Sequence, residues 1–270
     1  MSPPRTAGFL TDSTLCIGCK ACEVACKEWN EVPEDGLLWS GLSYDNTCSL
    51  GASTWRHVKF VEQEPAVGHG GNDPDRLSWQ FSSDVCKHCE VAGCLEACPT
   101  GAIVRTEMGG VFVQSDVCNG CGYCVVGCPF GVVAKREGDG RAFKCTFCYD
   151  RQKAGLEPAC AKVCPTESIL FGELDELRQR ADERVAALHR AGMDDATLWD
   201  PRHTSVEGTH AIFVVRGDPR AYNLPPDPEV PTVHQRDGWR AAAVAAAGMA
   251  ALAALAFLAG GGESGGATSS

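Results

Sequence analysis

Residues 118–129 read CNGCGYCVVGCP, with cysteines spaced C-x2-C-x2-C-x3-C and a proline directly after the last one. Three cysteines at this spacing lie on one tight loop. The proline marks the start of a helix, because its missing N–H would lack a partner there. Three other stretches repeat the arrangement, so that 16 of the 17 cysteines fall into four runs. The runs are Cys16, Cys19, Cys22 and Cys26 (run 1); Cys86, Cys89, Cys94 and Cys98 (run 2); Cys118, Cys121, Cys124 and Cys128 (run 3); and Cys145, Cys148, Cys160 and Cys164 (run 4).

This spacing is typical of ligands to cubane iron–sulfur clusters. In bacterial ferredoxins the same run supplies three thiolates to one 4Fe-4S cluster, and its fourth cysteine ligates the other cluster of a pair. Run 2 is stretched to C-x2-C-x4-C-x3-C, and run 4 has eleven residues between Cys148 and Cys160. Runs 2, 3 and 4 end in Cys-Pro, whereas Lys27 follows run 1. The spacing predicts four 4Fe-4S clusters with exchanged fourth ligands, and it leaves open which runs pair.

Two other roles for cysteines compete with this one. Zinc sites also use C-x2-C pairs, but they take two pairs per site rather than triplets with a trailing Cys-Pro. Disulfide frameworks belong mainly to short secreted domains, and this chain has 270 residues. The seventeenth cysteine, Cys48, is expected to be a free, packed thiol.

Bulk composition narrows the function class. The formal net charge of −11 argues against nucleic-acid binding. The N-terminal residues contain neither a twin arginine nor an apolar export segment, so we expect export, if any, to depend on a partner. No phosphate-binding glycine motif, catalytic triad or paired-carboxylate site stands out, which favours an electron carrier without a catalytic site of its own.

Secondary structure is predicted from local patterns. Strands are predicted at residues 57–61, 101–104, 110–114, 168–171 and 210–216, with the second and third joined as a hairpin. Apolar residues at helical spacing from Leu174 to Leu188 predict an amphipathic helix over residues 174–191. Residues 68–75 are predicted to form a surface loop, and the prolines of residues 225–231 an extended linker.

Residues 241–259 form an uncharged, alanine-rich stretch. As a helix it is about 28 Å long, against a hydrocarbon core of about 30 Å. Small residues favour close packing between membrane helices, so we expect one transmembrane helix docked on a partner. A soluble alanine-rich helix is the alternative. Arg236 and Arg240 precede the stretch, which by charge alone puts the cluster domain in the cytoplasm.

Four segments resemble the iron–sulfur β subunit of membrane-bound formate dehydrogenases: CIGCKACEVACKEWN at 16–30, CKHCEVAGCLEACPTGAI at 86–103, CNGCGYCVVGCPFG at 118–131 and CTFCYDRQKAGLEPACAKVCPT at 145–166. The resemblance covers nearly the whole chain, including the C-terminal apolar stretch. It implies an α+β fold with two ferredoxin-like dicluster halves, a C-terminal helical extension and one transmembrane helix. The implied domains are 1–172 for the clusters, 173–235 for the helix, strand and linker, 236–260 for the membrane helix, and 261–270 for a disordered tail.

The resemblance also implies which cysteines share a cluster, with runs 1 and 4 forming one half and runs 2 and 3 the other. We refer to the four implied ligand groups as sets. They are Cys16, Cys19, Cys22 and Cys164 (set 1); Cys26, Cys145, Cys148 and Cys160 (set 2); Cys86, Cys89, Cys94 and Cys128 (set 3); and Cys98, Cys118, Cys121 and Cys124 (set 4). The related nitrate reductase subunits have a tryptophan in place of one run 3 cysteine, which this chain does not.

The implied partners are a molybdopterin-containing catalytic α subunit that oxidises formate, a membrane cytochrome b γ subunit that reduces quinone, and the lipid bilayer around residues 241–259. In that family the α subunit carries the export signal, which implies an extracytoplasmic cluster domain, against the arginine count. The equivalent subunit of a membrane hydrogenase or of another molybdopterin reductase is the alternative.

Overall fold

The computed structural model describes residues 6–36, 39, 41, 45–63 and 78–260. The chain divides into two compact units, Met1–Val230 and Pro231–Ser270. The helices are α1 Ala21–Trp29, α2 Gly93–Glu96, α3 Tyr123–Val126, α4 Tyr149–Lys153, α5 Ala159–Lys162, α6 Leu174–Arg190 and α7 Gln235–Gly260. The strands are β1 Ala7–Asp12, β2 Arg56–Gln63, β3 Ser78–Val85, β4 Ile103–Arg105, β5 Val111–Val113, β6 Ala134–Lys135, β7 Ala142–Phe143, β8 Ile169–Glu173, β9 Ala196–Trp199 and β10 Ala211–Arg216.

A four-stranded sheet in the order β8-β1-β10-β9 organises the first unit. Strand β1 is parallel to β10 and antiparallel to β8. Successive strand residues face opposite sides. Leu10 and Ile212 therefore pack with Leu177 of α6 on one side, while Phe9 and Phe213 pack into the cysteine-containing core on the other. The sheet separates α6 from the cysteine runs.

The four runs lie in loops and short helices that three hairpins connect. Strands β2–β3, β4–β5 and β6–β7 each pair antiparallel. The β4–β5 hairpin lies between runs 2 and 3, as predicted. Helices α2 and α3 approach closely because a Cβ added at Gly93 would lie 2.3 Å from the carbonyl oxygen of Gly127. Only glycine allows this contact, which brings the ends of runs 2 and 3 together.

The residues predicted as an extended proline linker are packed instead. Leu224 and Val230 are fully buried. The indole N–H of Trp199 donates to the carbonyl oxygen of Pro225 at 2.8 Å. The expectation of a free linker was wrong because the apolar residues between the prolines bury themselves in the core. The boundary predicted at residue 172 falls within β8, whose sheet also contains strands from residues beyond that boundary.

Other expectations have mixed outcomes. Helix α6 ends one residue before the predicted end, and the predicted strands correspond to β2, β4, β5, β8 and β10 with shifted ends. Cys48 is exposed, so the expected packed thiol was wrong; its backbone φ of 65° turns the side chain outward from a loop. The loop predicted at residues 68–75 and the tail predicted at 261–270 lie outside the described residues.

Helix α7 makes up most of the second unit. Among the described residues it provides the one helix long and apolar enough to cross a membrane, within Pro231–Ala259. It begins six residues before the predicted stretch at 241, because nothing in residues 235–240 breaks a helix. Its apolar side chains are exposed, with Leu252 at 69% and Phe257 at 84%. A helix with this surface is stable only against lipid or other protein.

Candidate metal centres

Each run begins with a loop whose third residue has a left-handed backbone. The φ angles are 67° at Gly18, 46° at His88, 73° at Gly120 and 63° at Phe147. The N–H of Phe147 donates to the sulfur of Cys145 two residues earlier, at 3.3 Å. Glycine adopts this conformation freely, whereas histidine and phenylalanine need support from packing. The rings of His88 and Phe147 supply it, since both are buried and their centroids lie 4.4 Å apart.

The cysteines of set 1 line one cavity, although they come from two ends of the cysteine region. The cavity has an empty volume of about 290 Å³ and is bordered by three cysteines of run 1 and by Cys164 of run 4. The hydroxyl of Ser83 on β3 lies 3.2 Å from the sulfur of Cys22. Burial raises the pKa of the Cys22 thiol to about 12. A thiol in this environment becomes a thiolate only when a cation compensates its charge.

Sets 3 and 4 line two further cavities. The set 3 cavity has an empty volume of about 310 Å³ and contains all four set 3 cysteines. The set 4 cavity has about 290 Å³ and contains all four set 4 cysteines. Burial raises the pKa of Cys94 in set 3 to about 12 and that of Cys124 in set 4 to about 11. Each cavity therefore takes three cysteines from one run and the fourth from the other.

Set 2 is the most enclosed group, since all four of its cysteines are buried. The side-chain amide of Asn30 lies 3.7 Å from the sulfur of Cys26 and 3.9 Å from that of Cys148. Burial raises the pKa of Cys26, and charge on the thiolates of Cys145 and Cys160 raises it further. The last cysteine of run 1 therefore shares its surroundings with three cysteines of run 4.

Solvent exposure differs between the sets. Cys19 of set 1 and Cys121 of set 4 are exposed. In set 3, three cysteines are buried and Cys128 is half-buried. Sets 1 and 4 thus reach the surface, while sets 2 and 3 are enclosed by protein.

Two buried cations contact cysteine sulfurs. The guanidinium of Arg56 donates to the sulfur of Cys160 at 3.2 Å, and the ammonium of Lys144 to the sulfur of Cys86 at 3.4 Å. Burial opposes the charged form of each cation, but neighbouring thiolates outweigh burial and raise both pKa values. Both groups are therefore charged at physiological pH.

These features fit the ligand chemistry of iron–sulfur clusters. Each set offers four sulfurs, backbone N–H groups reach several of them, and buried positive charge lies beside three of the sets. Within the part of the chain that the structure describes, no three His, Cys, Asp or Glu are close enough to hold a single metal ion. All 17 cysteines are free thiols, which contradicts a disulfide framework.

Sequence reasoning missed the residues around the sulfurs. Arg56, Ser83 and Asn30 lie outside the runs in the sequence, and no local pattern distinguishes them. Lys144 directly precedes Cys145, but its position alone does not show that it is buried. His88 is expected from sequence to surround a ligand rather than to be one. Its ring borders the set 3 cavity and its Nδ1 accepts from the N–H of Val111 at 3.0 Å.

The cysteine runs lie within regions that match known protein families. Two family models, each described as a 4Fe-4S dicluster domain, match residues 15–102 and residues 77–174. Together these ranges contain all four runs.

Similar proteins cover most of the chain. The formate dehydrogenase iron–sulfur subunit of Haemophilus influenzae is 44% identical over 82% of this chain and 69% of its own length. The nitrate-inducible formate dehydrogenase iron–sulfur subunit of Escherichia coli is 42% identical over 89% of this chain and 79% of its own. A subunit of the anaerobic dimethyl sulfoxide reductase of Escherichia coli is 35% identical over 68% and 82%.

Proposed function

We propose, from the premise that this chain belongs to the family of formate dehydrogenase iron–sulfur subunits, that its four cysteine sets hold four 4Fe-4S clusters in one electron-transfer chain. The chain is an electron-transfer subunit of an oxidoreductase complex, since its relatives are iron–sulfur subunits of such complexes. A 4Fe-4S cluster, when bound, takes up and releases one electron without breaking a bond. The protein holds, insulates and tunes the clusters.

The grouping of the sulfurs carries this proposal. Three cavities are each lined by the four cysteines of one set, and the remaining four cysteines cluster around Cys26. In every set the fourth cysteine comes from a different run than the other three. This exchange is what two ferredoxin-like dicluster halves require, one built from runs 1 and 4 and the other from runs 2 and 3.

The contacts between sets support a linear order, 1–2–3–4. Ser83 and Arg56 connect Cys22 of set 1 with Cys160 of set 2 through contacts of 3.2–3.4 Å. Charge on Cys86 of set 3 acts on Cys145 of set 2. The close approach of Gly93 and Gly127 brings set 3 to set 4. Sets 1 and 4, which contain exposed cysteines, are then the two ends of the chain.

The partners follow from this order. One end accepts electrons from a molybdopterin-containing formate-oxidising subunit, and the other passes them to a membrane cytochrome b and quinone. Two exposed ends suit two different partners, because an electron tunnels efficiently only over short distances. The dimethyl sulfoxide reductase relative keeps another molybdopterin reductase as the second candidate.

Helix α7 serves as a single membrane anchor. Its length and exposed apolar side chains support insertion, and its alanines support packing on the helices of the cytochrome. We place the cluster unit on the extracytoplasmic face, carried across the membrane with the catalytic subunit.

Anaerobic purification from membranes tests the proposal. We expect about sixteen iron and sixteen sulfide per chain, a broad visible absorbance, and copurification of a pterin enzyme and a b-type cytochrome. Zinc in place of iron would refute the cluster assignment. A different pterin partner, such as a sulfoxide reductase, would refute the formate assignment while leaving the clusters in place.

A further inference from the structure

Two buried cations lie where set 2 meets its neighbours. Arg56 is 1% exposed and Lys144 is 2% exposed, and they are among the largest fully buried side chains of the described residues. Burying a charged group is costly unless an opposite charge lies nearby. Their positions therefore call for a counter-charge.

Arg56 lies between set 1 and set 2. Its guanidinium donates to the sulfur of Cys160 at 3.2 Å and to the carbonyl oxygen of Ser83 at 3.1 Å. The hydroxyl of Ser83, 3.4 Å from the guanidinium, also lies 3.2 Å from the sulfur of Cys22. The guanidinium stacks on Phe9 with 4.8 Å to the ring centroid, which fixes its place.

Lys144 lies between set 3 and set 2. Its ammonium donates to the sulfur of Cys86 at 3.4 Å and to the carbonyl oxygen of Cys145 at 3.2 Å. A further hydrogen bond to the carbonyl oxygen of Val111 holds the ammonium in position. The thiolates of Cys86 and Cys145 both act on its charge.

Neither cation pairs with a carboxylate among the residues that the structure describes. The contrast is Lys87, equally buried, whose ammonium is neutralised by Asp84. The counter-charge for Arg56 and Lys144 is therefore the sulfur ligands themselves. Set 2 is the group flanked by both cations, through Cys160 on one side and Cys145 on the other.

We propose that Arg56 and Lys144 are positioning charges that raise the reduction potential of the set 2 cluster, and each to a smaller degree that of the set 1 or set 3 cluster beside it. This inference rests on the proposed function. Adding an electron adds negative charge, which a buried, weakly polar site disfavours. A fixed positive charge within 3.2–3.4 Å of a ligand sulfur offsets that cost. The enclosed clusters can then be reduced as readily as the exposed ones.

The test is a redox titration followed by electron paramagnetic resonance on the purified complex with its partner subunits. Arg56→Gln and Lys144→Gln remove the charges, whereas Arg56→Lys and Lys144→Arg retain them. Arg184→Gln is the matched control, because Arg184 contacts Asp12 and Thr14 rather than a cysteine. Signals are assigned beforehand with variants that replace one cysteine of each set by serine.

In each glutamine variant we expect the ratio of reduced to oxidised set 2 cluster, at fixed ambient potential, to fall about tenfold, equal to about 59 mV for one electron. The set 1 cluster should shift only in Arg56→Gln and the set 3 cluster only in Lys144→Gln. The set 4 cluster should shift in neither. The charge-retaining variants and Arg184→Gln should keep the wild-type ratios.

Three results would overturn the inference. The set 2 potential could stay constant in both glutamine variants, or the charge-retaining variants could shift as much as the glutamine variants, which would assign both residues to packing. The glutamine variants could also lose iron while the charge-retaining ones keep it, which would assign the charges to cluster assembly. Wild-type protein without cubane signals would instead refute the proposed function.

Discussion

Replacing Cys164 by serine should abolish the cluster of set 1 and spare that of set 2, although run 4 supplies three of the set 2 ligands. The structure places Cys164 on the set 1 cavity with three cysteines of run 1. Removing one of four ligands from one of four clusters puts at most about a quarter of the iron at risk. Loss of a single iron, leaving a three-iron cluster, sets the lower limit at about one-sixteenth.

The matched control is Cys160→Ser. Cys160 lies one helical turn earlier in the same run, in α5, and contacts Arg56 of set 2. The two variants should lose similar amounts of iron but different resonance signals. Iron and sulfide analysis gives the amount, and electron paramagnetic resonance of the dithionite-reduced protein identifies the cluster. If both variants lose the same signal, run 4 serves one cluster and the exchange of fourth ligands is refuted.

Three other expectations rest on burial and on exposed apolar surface. Gly93→Ala should destabilise the fold by about 1–3 kcal/mol, because its Cβ would meet the backbone of Gly127, whereas Gly172→Ala, with open space around it, should not; thermal unfolding measures both. Ending the chain after Val230 should move the singly expressed protein from the membrane to the soluble fraction with its iron retained. Removing iron with a chelator should expose the buried Arg56 and Lys144 to trypsin, which mass spectrometry of the fragments detects.

Each of these has a contrary outcome. Equal unfolding temperatures for the two glycine variants would show that α2 and α3 can separate at no cost. A truncated chain that stays in washed membranes would show that α7 is not the anchor. An iron-free protein as resistant to trypsin at Arg56 and Lys144 as the loaded one would show that the core needs no cluster to hold those cations inside.

The sequence predicts the ligands well because their spacing is local. A thiolate triplet on one loop is encoded within about ten residues, so runs 1 to 4 are visible without a structure. Helix α6 is likewise encoded by the period of Leu174, Leu177 and Ala181, all buried. These are the features for which neighbours along the chain decide the structure.

Long-range features escaped sequence reasoning for a physical reason. Strand β1 is six residues long and is held between β8 and β10, which lie more than 150 residues further along the chain. Arg56 looks like an ordinary surface residue of a strand until the sulfur of Cys160, 3.2 Å away, is known. Left-handed His88 and Phe147 stand where runs 1 and 3 have glycine, so their backbone angles depend on a mutual ring contact.

The exchange of fourth ligands connects folding to conduction. Cys26 joins run 1 to three cysteines of run 4, and Cys164 joins run 4 to three cysteines of run 1. Each cluster would thus crosslink segments more than 100 residues apart, restricting the unfolded chain as a long disulfide loop does. The same crosslinks hold adjacent clusters near one another, because a run that ends in one cluster begins in the next. Ser83 and Arg56 can then bridge two sets with contacts of 3.2–3.4 Å. A chain with unexchanged ligands could bind the same iron, but nothing covalent would hold neighbouring clusters within transfer distance.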